Sequence, residues 1–102
     1  MIIDAERLDY AQLGEILRET EEPCVIRGCL GQRFIAAGMG ERSLSIYGVP
    51  GNALGAYMNG ARVEVFGNAQ DAAGDTMNAG RIIIHGSAGD ALGYAMRGGE
   101  IY

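Results

Sequence analysis

Tryptophan and lysine are absent from this 102-residue chain, and there are only two prolines, two cysteines and one histidine. Each scarcity excludes something. With aromatics at 7%, ring clusters are not the main core material. Two prolines beside abundant glycine rule out a collagen-like chain and a Pro/Gly linker. No apolar run approaches the ~20 residues that span a bilayer. Met1-Ile2-Ile3-Asp4-Ala5-Glu6 lacks the basic and apolar regions of a secretory signal, so a cytoplasmic protein is expected. Cys24 and Cys29 are five apart, which suits neither a redox pair nor a zinc-ligand pair. They read as two reduced thiols. The eight basic residues are all Arg and all scattered, in a chain of net charge -5 and isoelectric point near 4.7. A nucleic-acid backbone or an anionic membrane surface needs clustered cations, so neither is an expected partner.

What is present is a 48% apolar share, enough to exclude disorder, and 17 glycines, more than twice the usual ~7%. Length predicts one domain, since a domain takes roughly 100–200 residues. The glycines are periodic. Gly48, Gly67 and Gly86 are nineteen apart, as are Gly55, Gly74 and Gly93, and as are Met39, Met58, Met77 and Met96. The three best copies begin at Gly48, Gly67 and Gly86, and a degenerate one covers Cys29 to Tyr47. Each runs into a short apolar segment: Arg62-Val63-Glu64-Val65-Phe66, Arg81-Ile82-Ile83-Ile84-His85, and Glu100-Ile101-Tyr102.

Aligned on this period, Leu44, Val63, Ile82 and Ile101 form one column, and Ile46, Val65 and Ile84 another. A third holds Ile35, Leu54, Ala73 and Leu92. Ser43, Arg62, Arg81 and Glu100 alternate with them and are polar. Period-2 alternation inside each segment marks a strand with one face inward. Columns that stay apolar from copy to copy mark a coil stacked on itself, strand parallel to strand, at about 4.8 Å per coil. The prediction is a mainly β, single-stranded parallel β-helix of nineteen-residue coils. Glycines sit where the chain turns between faces, at positive φ or in close backbone approach. The β-helix is predicted over 29–102, about four coils with the last incomplete.

Residues 1–28 lack the period. Asp9 with Gln12 makes a capping box for a helix over about 10–20, with Leu13, Ile16, Leu17 and Thr20 on one stripe. Glu21-Glu22-Pro23 stops it, and Cys24-Val25-Ile26-Arg27 reads as a strand leading into the first coil. The helix is predicted to cap the open end of the solenoid.

Several columns carry functional possibilities. His85, alone as a histidine, could serve as a base or metal ligand. Its column mates are Tyr47 and Phe66, so ring stacking is the expected role. Asn52, Asp71 and Asp90 are read as a turn ladder, because calcium repeats need a nine-residue Gly-Gly-x-Gly-x-Asp period that is missing. A carboxylate pair for hydrolysis could draw on Glu64 with Glu100 or Asp75, but no acid recurs in a cleft-forming pattern. Ile83 and Tyr102 share an outward column with Ser45 and Glu64, and are the candidate partner interface. No catalytic, cofactor or metal residue is identified.

The words Gly67-Asn68-Ala69-Gln70-Asp71, Thr76-Met77-Asn78, Ile84-His85-Gly86-Ser87-Ala88-Gly89-Asp90 and Gly93-Tyr94-Ala95-Met96-Arg97-Gly98-Gly99 resemble the Gly-x-Gly-x-Gly repeat domain that closes the alpha subunit of glutamate synthase. Gly31-Gln32-Arg33-Phe34-Ile35 and Gly48-Val49-Pro50-Gly51-Asn52 resemble its opening coils, so the likeness covers about 24–102. The same domain is similar to a separately encoded subunit of archaea and some bacteria. A related repeat occurs in one of the subunits of formylmethanofuran dehydrogenase. The resemblance implies a right-handed β-helix that holds amidotransferase and flavin domains in place and borders the ammonia route. It also implies that the flavin mononucleotide, the iron–sulfur cluster and the glutaminase chemistry lie on those partner domains. The expected function is a non-catalytic scaffold of a glutamate synthase-type oxidoreductase. The alternative is the scaffold of a formylmethanofuran dehydrogenase-like complex. The family's domain runs for more coils than this chain, whose count stops at Tyr102 midway through its fourth strand. Whether that stop is natural or a truncation stays open. An uncovered coil is an edge ready for pairing, so self-association at the C-terminal coil is expected.

Overall fold

The computed structural model describes residues 1–102. Six strands follow one another in chain order across a single all-parallel sheet: β1 (Ile2–Asp4), β2 (Cys24–Leu30), β3 (Ser43–Val49), β4 (Asn59–Phe66), β5 (Ala79–Ile84) and β6 (Glu100–Ile101). Each connection therefore advances the chain by one strand, which makes the fold a β-solenoid. The register follows the nineteen-residue period: Leu44 opposes Val63, Val63 opposes Ile82 and Ile82 opposes Ile101. Parallel sheets usually bury both faces under helices. Here the connections all return on one side, so the other face stays in solvent.

The core lies between the sheet and the stacked turns. Ile46, Val63, Val65 and Ile82 project from the sheet and are completely buried, as are Leu54, Met58 and Met77 from the turns. Ala73 completes the turn column between Leu54 and Leu92, and its small side chain is buried too. Burial fades toward the last coil, where Leu92 is 48% exposed although its column mate Leu54 is fully covered.

The turns have their own regularity. Within each coil three alternate positions take positive φ: Phe34, Ala53, Ala72 and Ala91 in one column, Ala36 with Gly55, Gly74 and Gly93 in the next, and Gly38, Tyr57, Thr76 and Ala95 in the third. A left-handed residue other than glycine costs roughly 1–2 kcal/mol. Backbone hydrogen bonds between coils offset this cost. The N–H groups of Ala53 and Ala72 donate to the Asp71 and Asp90 carbonyls above, while those of Gly55 and Gly74 donate to Ile35 and Leu54 below. The glycines at 48, 67 and 86 have a different reason. A Cβ on Gly67 would lie 2.3 Å from the Gly48 carbonyl oxygen, so successive backbones touch there.

Helix α1 (Tyr10–Glu19) connects β1 to β2 and stands in the first coil where later coils have a turn. Its capping box forms as expected: the Asp9 carboxylate accepts from the Gln12 N–H at 2.8 Å and the Gln12 side chain accepts from the Asp9 N–H at 2.9 Å. Leu13 and Leu17 enter the same core as the coils, together with Ile3 of β1. Strand β1 was not legible in the sequence. Its pairing of Ile2 with Val25 breaks the period because the helix lengthens the connection. Two side chains fasten this segment. Gln32, buried, accepts from the Leu30 N–H and donates to the Ala5 and Leu8 carbonyls. Arg42 donates to the Leu17 carbonyl at the helix C-terminus, where a cation also suits the dipole.

Both cysteines are free and buried. Burial pushes the Cys29 thiol up to about 11, its backbone hydrogen bond with Leu30 only partly opposing this. The folded state then holds the thiol proton more tightly than the unfolded chain, so this contribution is intact below about pH 9 and is lost as pH rises from 9 to 11. Wild-type protein should lose about 2–3 kcal/mol across that window relative to Cys29→Ala, as read by urea denaturation at several pH values. Gly67→Ala should destabilise by about 2–3 kcal/mol through overpacking. Gly14→Ala, whose Cβ would meet only the flexible Arg18 guanidinium at 3.3 Å, should stabilise by about 0.5–1 kcal/mol. Denaturation midpoints of the two variants should therefore move in opposite directions.

Candidate functional site

Alternation along each strand sends every second side chain onto the solvated face of the sheet, where they stand in three columns. The first holds Ser43, Arg62, Arg81 and Glu100; the second Val25, Ser45, Glu64 and Ile83; the third Tyr47 and Phe66, continued by His85. Tyr102 extends the second column, since its N–H donates to the Ile82 carbonyl and its carbonyl accepts from the Ile84 N–H.

The third column is a ladder of rings. Tyr47 and Phe66 lie 4.7 Å apart at 11°, and Phe66 and His85 4.9 Å apart at 13°. The coil rise and the stacking distance of flat rings coincide, so the strands themselves set the stack. His85 Nε2 stands 2.6 Å from the Glu64 Oε2 of the neighbouring column. The sequence anticipated the stack and missed the carboxylate contact, because Glu64 and His85 lie in different columns and the period does not link them.

The carboxylates weighed for hydrolysis are not brought together as a pair. Glu64 is held by His85, Asp75 accepts from the Thr76 hydroxyl within a turn, and Glu100 belongs to a cluster at the last coil. There Glu100 receives Arg81 at 2.9 Å and the Tyr102 hydroxyl at 2.5 Å, while the Arg81 guanidinium lies 5.5 Å from the Tyr102 ring. Those two hydrogen bonds, Tyr102's first, hold the Glu100 carboxyl below its usual range. The same carboxylate raises the Tyr102 phenol and the Arg81 guanidinium.

Ile83 and Tyr102 do lie side by side, Ile83 half-buried and Tyr102 63% exposed. The hydroxyl of Tyr102 is engaged by Glu100, so the apolar part of the pair is the ring and the Ile83 side chain. The turn face carries polar ladders instead. The Asn52 side chain accepts from the Asp71 N–H at 2.9 Å and the Asp71 side chain from the Asp90 N–H at 2.8 Å. A second ladder, Asn68 to the Ser87 N–H at 2.8 Å, was not foreseen, because Ser87 breaks the Asx column. No three His, Cys, Asp or Glu side chains converge as metal ligands, and no helix is long and apolar enough to cross a membrane.

Coils that repeat at close to nineteen residues after the first, self-stacking columns and polar ladders that satisfy turn backbone define a parallel β-solenoid repeat domain. A family model described as the GXGXG motif matches residues 18–102. The chain belongs to that family, the repeat domain found at the C-terminal end of glutamate synthase. Among curated proteins it is similar to Uncharacterized protein MJ1350 of Methanocaldococcus jannaschii, with 44% identity over 71 residues. The match covers 62% of this chain and 27% of that relative, so the chain spans about a quarter of the relative's length. No solved structure matches.

Glu100→Gln should lower the Tyr102 phenol's titration midpoint toward its ordinary value, since the carboxylate is what raises it. Phenolate absorbance or the Tyr102 ring carbon shift, followed against pH, reads this directly. An unmoved midpoint would contradict the geometry of the cluster.

Proposed function

We propose that the chain is a non-catalytic scaffold element of a glutamate synthase-type oxidoreductase assembly, acting in the cytoplasm in glutamate biosynthesis. Membership of the GXGXG family is the observation that carries this reading. The columns support it physically. Asn52, Asn68 and Asp71 accept backbone N–H groups of the coil above, Glu64 holds His85, and Glu100 holds Arg81 and Tyr102. Polar groups that satisfy neighbouring coils stiffen a solenoid, and a stiff solenoid suits the spacing of larger domains. Amidotransferase and flavin synthase domains or subunits are the partners, and they carry the flavin mononucleotide and the iron–sulfur cluster. This chain carries neither. Ile83 and the Tyr102 ring form part of the contact surface.

Self-association through the last coil belongs to the same proposal. Leu92, Tyr94 and Tyr102 are exposed on that coil and supply apolar surface for it.

The test is a gentle affinity isolation of the tagged protein from its own host, with its companions identified by mass spectrometry. Recovery of both a flavin synthase subunit and a glutaminase subunit, lost in an Ile83→Asp/Tyr102→Asp variant, is the expected result. Molybdenum- or tungsten-enzyme subunits would instead assign the chain to a formylmethanofuran dehydrogenase-like complex. A clean bait would overturn the scaffold reading. Sedimentation across a range of concentrations tests self-association separately, and a concentration-independent monomer would remove it.

A further inference from the structure

Helix α1 does not close completely on the coil it covers. Between its flank and the turn that joins β2 to β3 lies a hollow of about 280 Å³. Leu17 and Ala36, both buried, form its floor, and Ala11, Gly14 and Ala37 keep it open because their side chains are small or missing. Tyr10 and Phe34, ring centroids 6.0 Å apart, close the end nearer the helix N-terminus. Two of these residues are ones that the fold itself does not require. Gly14 stands inside the helix, where glycine is a poor former, and no backbone crowds it. Phe34 takes a φ of 60° and is 50% exposed, at a turn position that holds alanine in every later coil: Ala53, Ala72 and Ala91. A bulky residue in the left-handed region is strained, and such strain gathers at functional sites.

The hollow carries charge of one sign. Arg18 reaches back one turn, its Nη1 lying 3.3 Å from where a Cβ on Gly14 would stand, which places the guanidinium at the hollow's edge. Arg33 lies on the two rings, 5.1 Å from the Tyr10 centroid and 5.8 Å from that of Phe34. Neither arginine forms an ion pair, and no carboxylate lines the hollow in a chain with 13 acidic residues. We propose that the hollow docks a partner segment that inserts one large aliphatic side chain and lays the carboxylate of an adjacent Asp or Glu on Arg18. An apolar anchor in a pocket, with a charge pair at its rim, is the arrangement by which a few residues carry an interface. The planar fork of Arg18 matches a carboxylate, and Arg33 adds to the positive field that draws an acidic segment in. This surface lies at the opposite end of the stack from Ile83 and Tyr102. It rests on the scaffold reading only for the identity of the partner.

The test is a titration of isotope-labelled protein with the peptide N-acetyl-Gly-Leu-Asp-Gly-amide, read by amide chemical shifts. The shifts should saturate and be largest at Gly14, Ala36 and Ala37, with a dissociation constant on the order of 1 mM, as befits one anchor and one charge. Replacing the peptide's Leu by Ala should weaken binding about tenfold through lost apolar burial. Replacing its Asp by Asn should weaken it about two- to fivefold, the range of an exposed ion pair. Arg18→Gln should erase the difference between the Asp and Asn peptides and leave the affinity for the Asn peptide unchanged. Gly14→Ala should weaken binding although it raises stability, because its methyl group displaces the Arg18 guanidinium. Ala11→Leu, at an exposed helix position, should fill the hollow and abolish binding, with far-ultraviolet circular dichroism checking that each variant is folded. No saturation, equal affinities for the Leu and Ala peptides, or shifts elsewhere on the surface would each overturn the assignment. Shifts of the same amides on raising the protein's own concentration would overturn it in favour of a second copy of the chain. A failed peptide, with both companions still recovered from the host, would remove this surface alone. A bound peptide with a clean bait would remove the scaffold reading alone.

Discussion

A coil that lies on a copy of itself, one strand spacing away, must be compatible with that copy at every position. This self-compatibility governs the rest of the molecule. A column of Leu44, Val63 and Ile82 can stack because apolar side chains tolerate their own kind in contact. Tyr47, Phe66 and His85 can stack because flat rings fit a spacing close to 4.8 Å. The column of Gly48, Gly67 and Gly86 follows from the same rule in its strictest form, since there backbone meets backbone with no room for a methyl group.

The turns show how a conformation that is costly alone becomes stable in a stack. Alternate residues are left-handed, alanines and a tyrosine among them, and the backbone N–H groups at these positions point alternately to the coils above and below. Each turn is thereby held by its neighbours on both sides. The stack must begin somewhere, and the first coil begins it differently. A capped helix replaces the turn, and its apolar stripe joins the common core. Gln32 and Arg42 tie it down through backbone carbonyls rather than through charge pairs. Along the turn column, Leu54 is fully buried and Leu92 is exposed.

For function, the consequence is that chemistry-bearing residues acquire partners from the architecture. His85 meets a carboxylate and a phenyl ring, Glu100 an arginine and a phenol, and Asn52 and Asp71 the backbone of the next coil. Arg18, without an ion-pair partner beside the hollow under α1, is an exception to this saturation, and it stands where the helix interrupts the period.

The solenoid, its period, the inward columns, the ring stack, the Asx ladder and the capping box were all legible in the sequence, because a repeat writes its contacts into the chain many times over. Leu44 and Val63 announce their neighbourhood by recurring in phase, and Asp9 with Gln12 by a local spacing. Strand β1 was not legible, since a single irregular connection through α1 sets its register. Neither were the contacts of Gln32, Arg42 and Glu64, which join residues of different columns and occur once each. The sequence by itself determined what stacks on what; only the tertiary structure decided what lies beside what. Stacking repeats at a fixed interval along the chain, whereas lateral contacts depend on how each coil curves, and no interval in the sequence records that curvature.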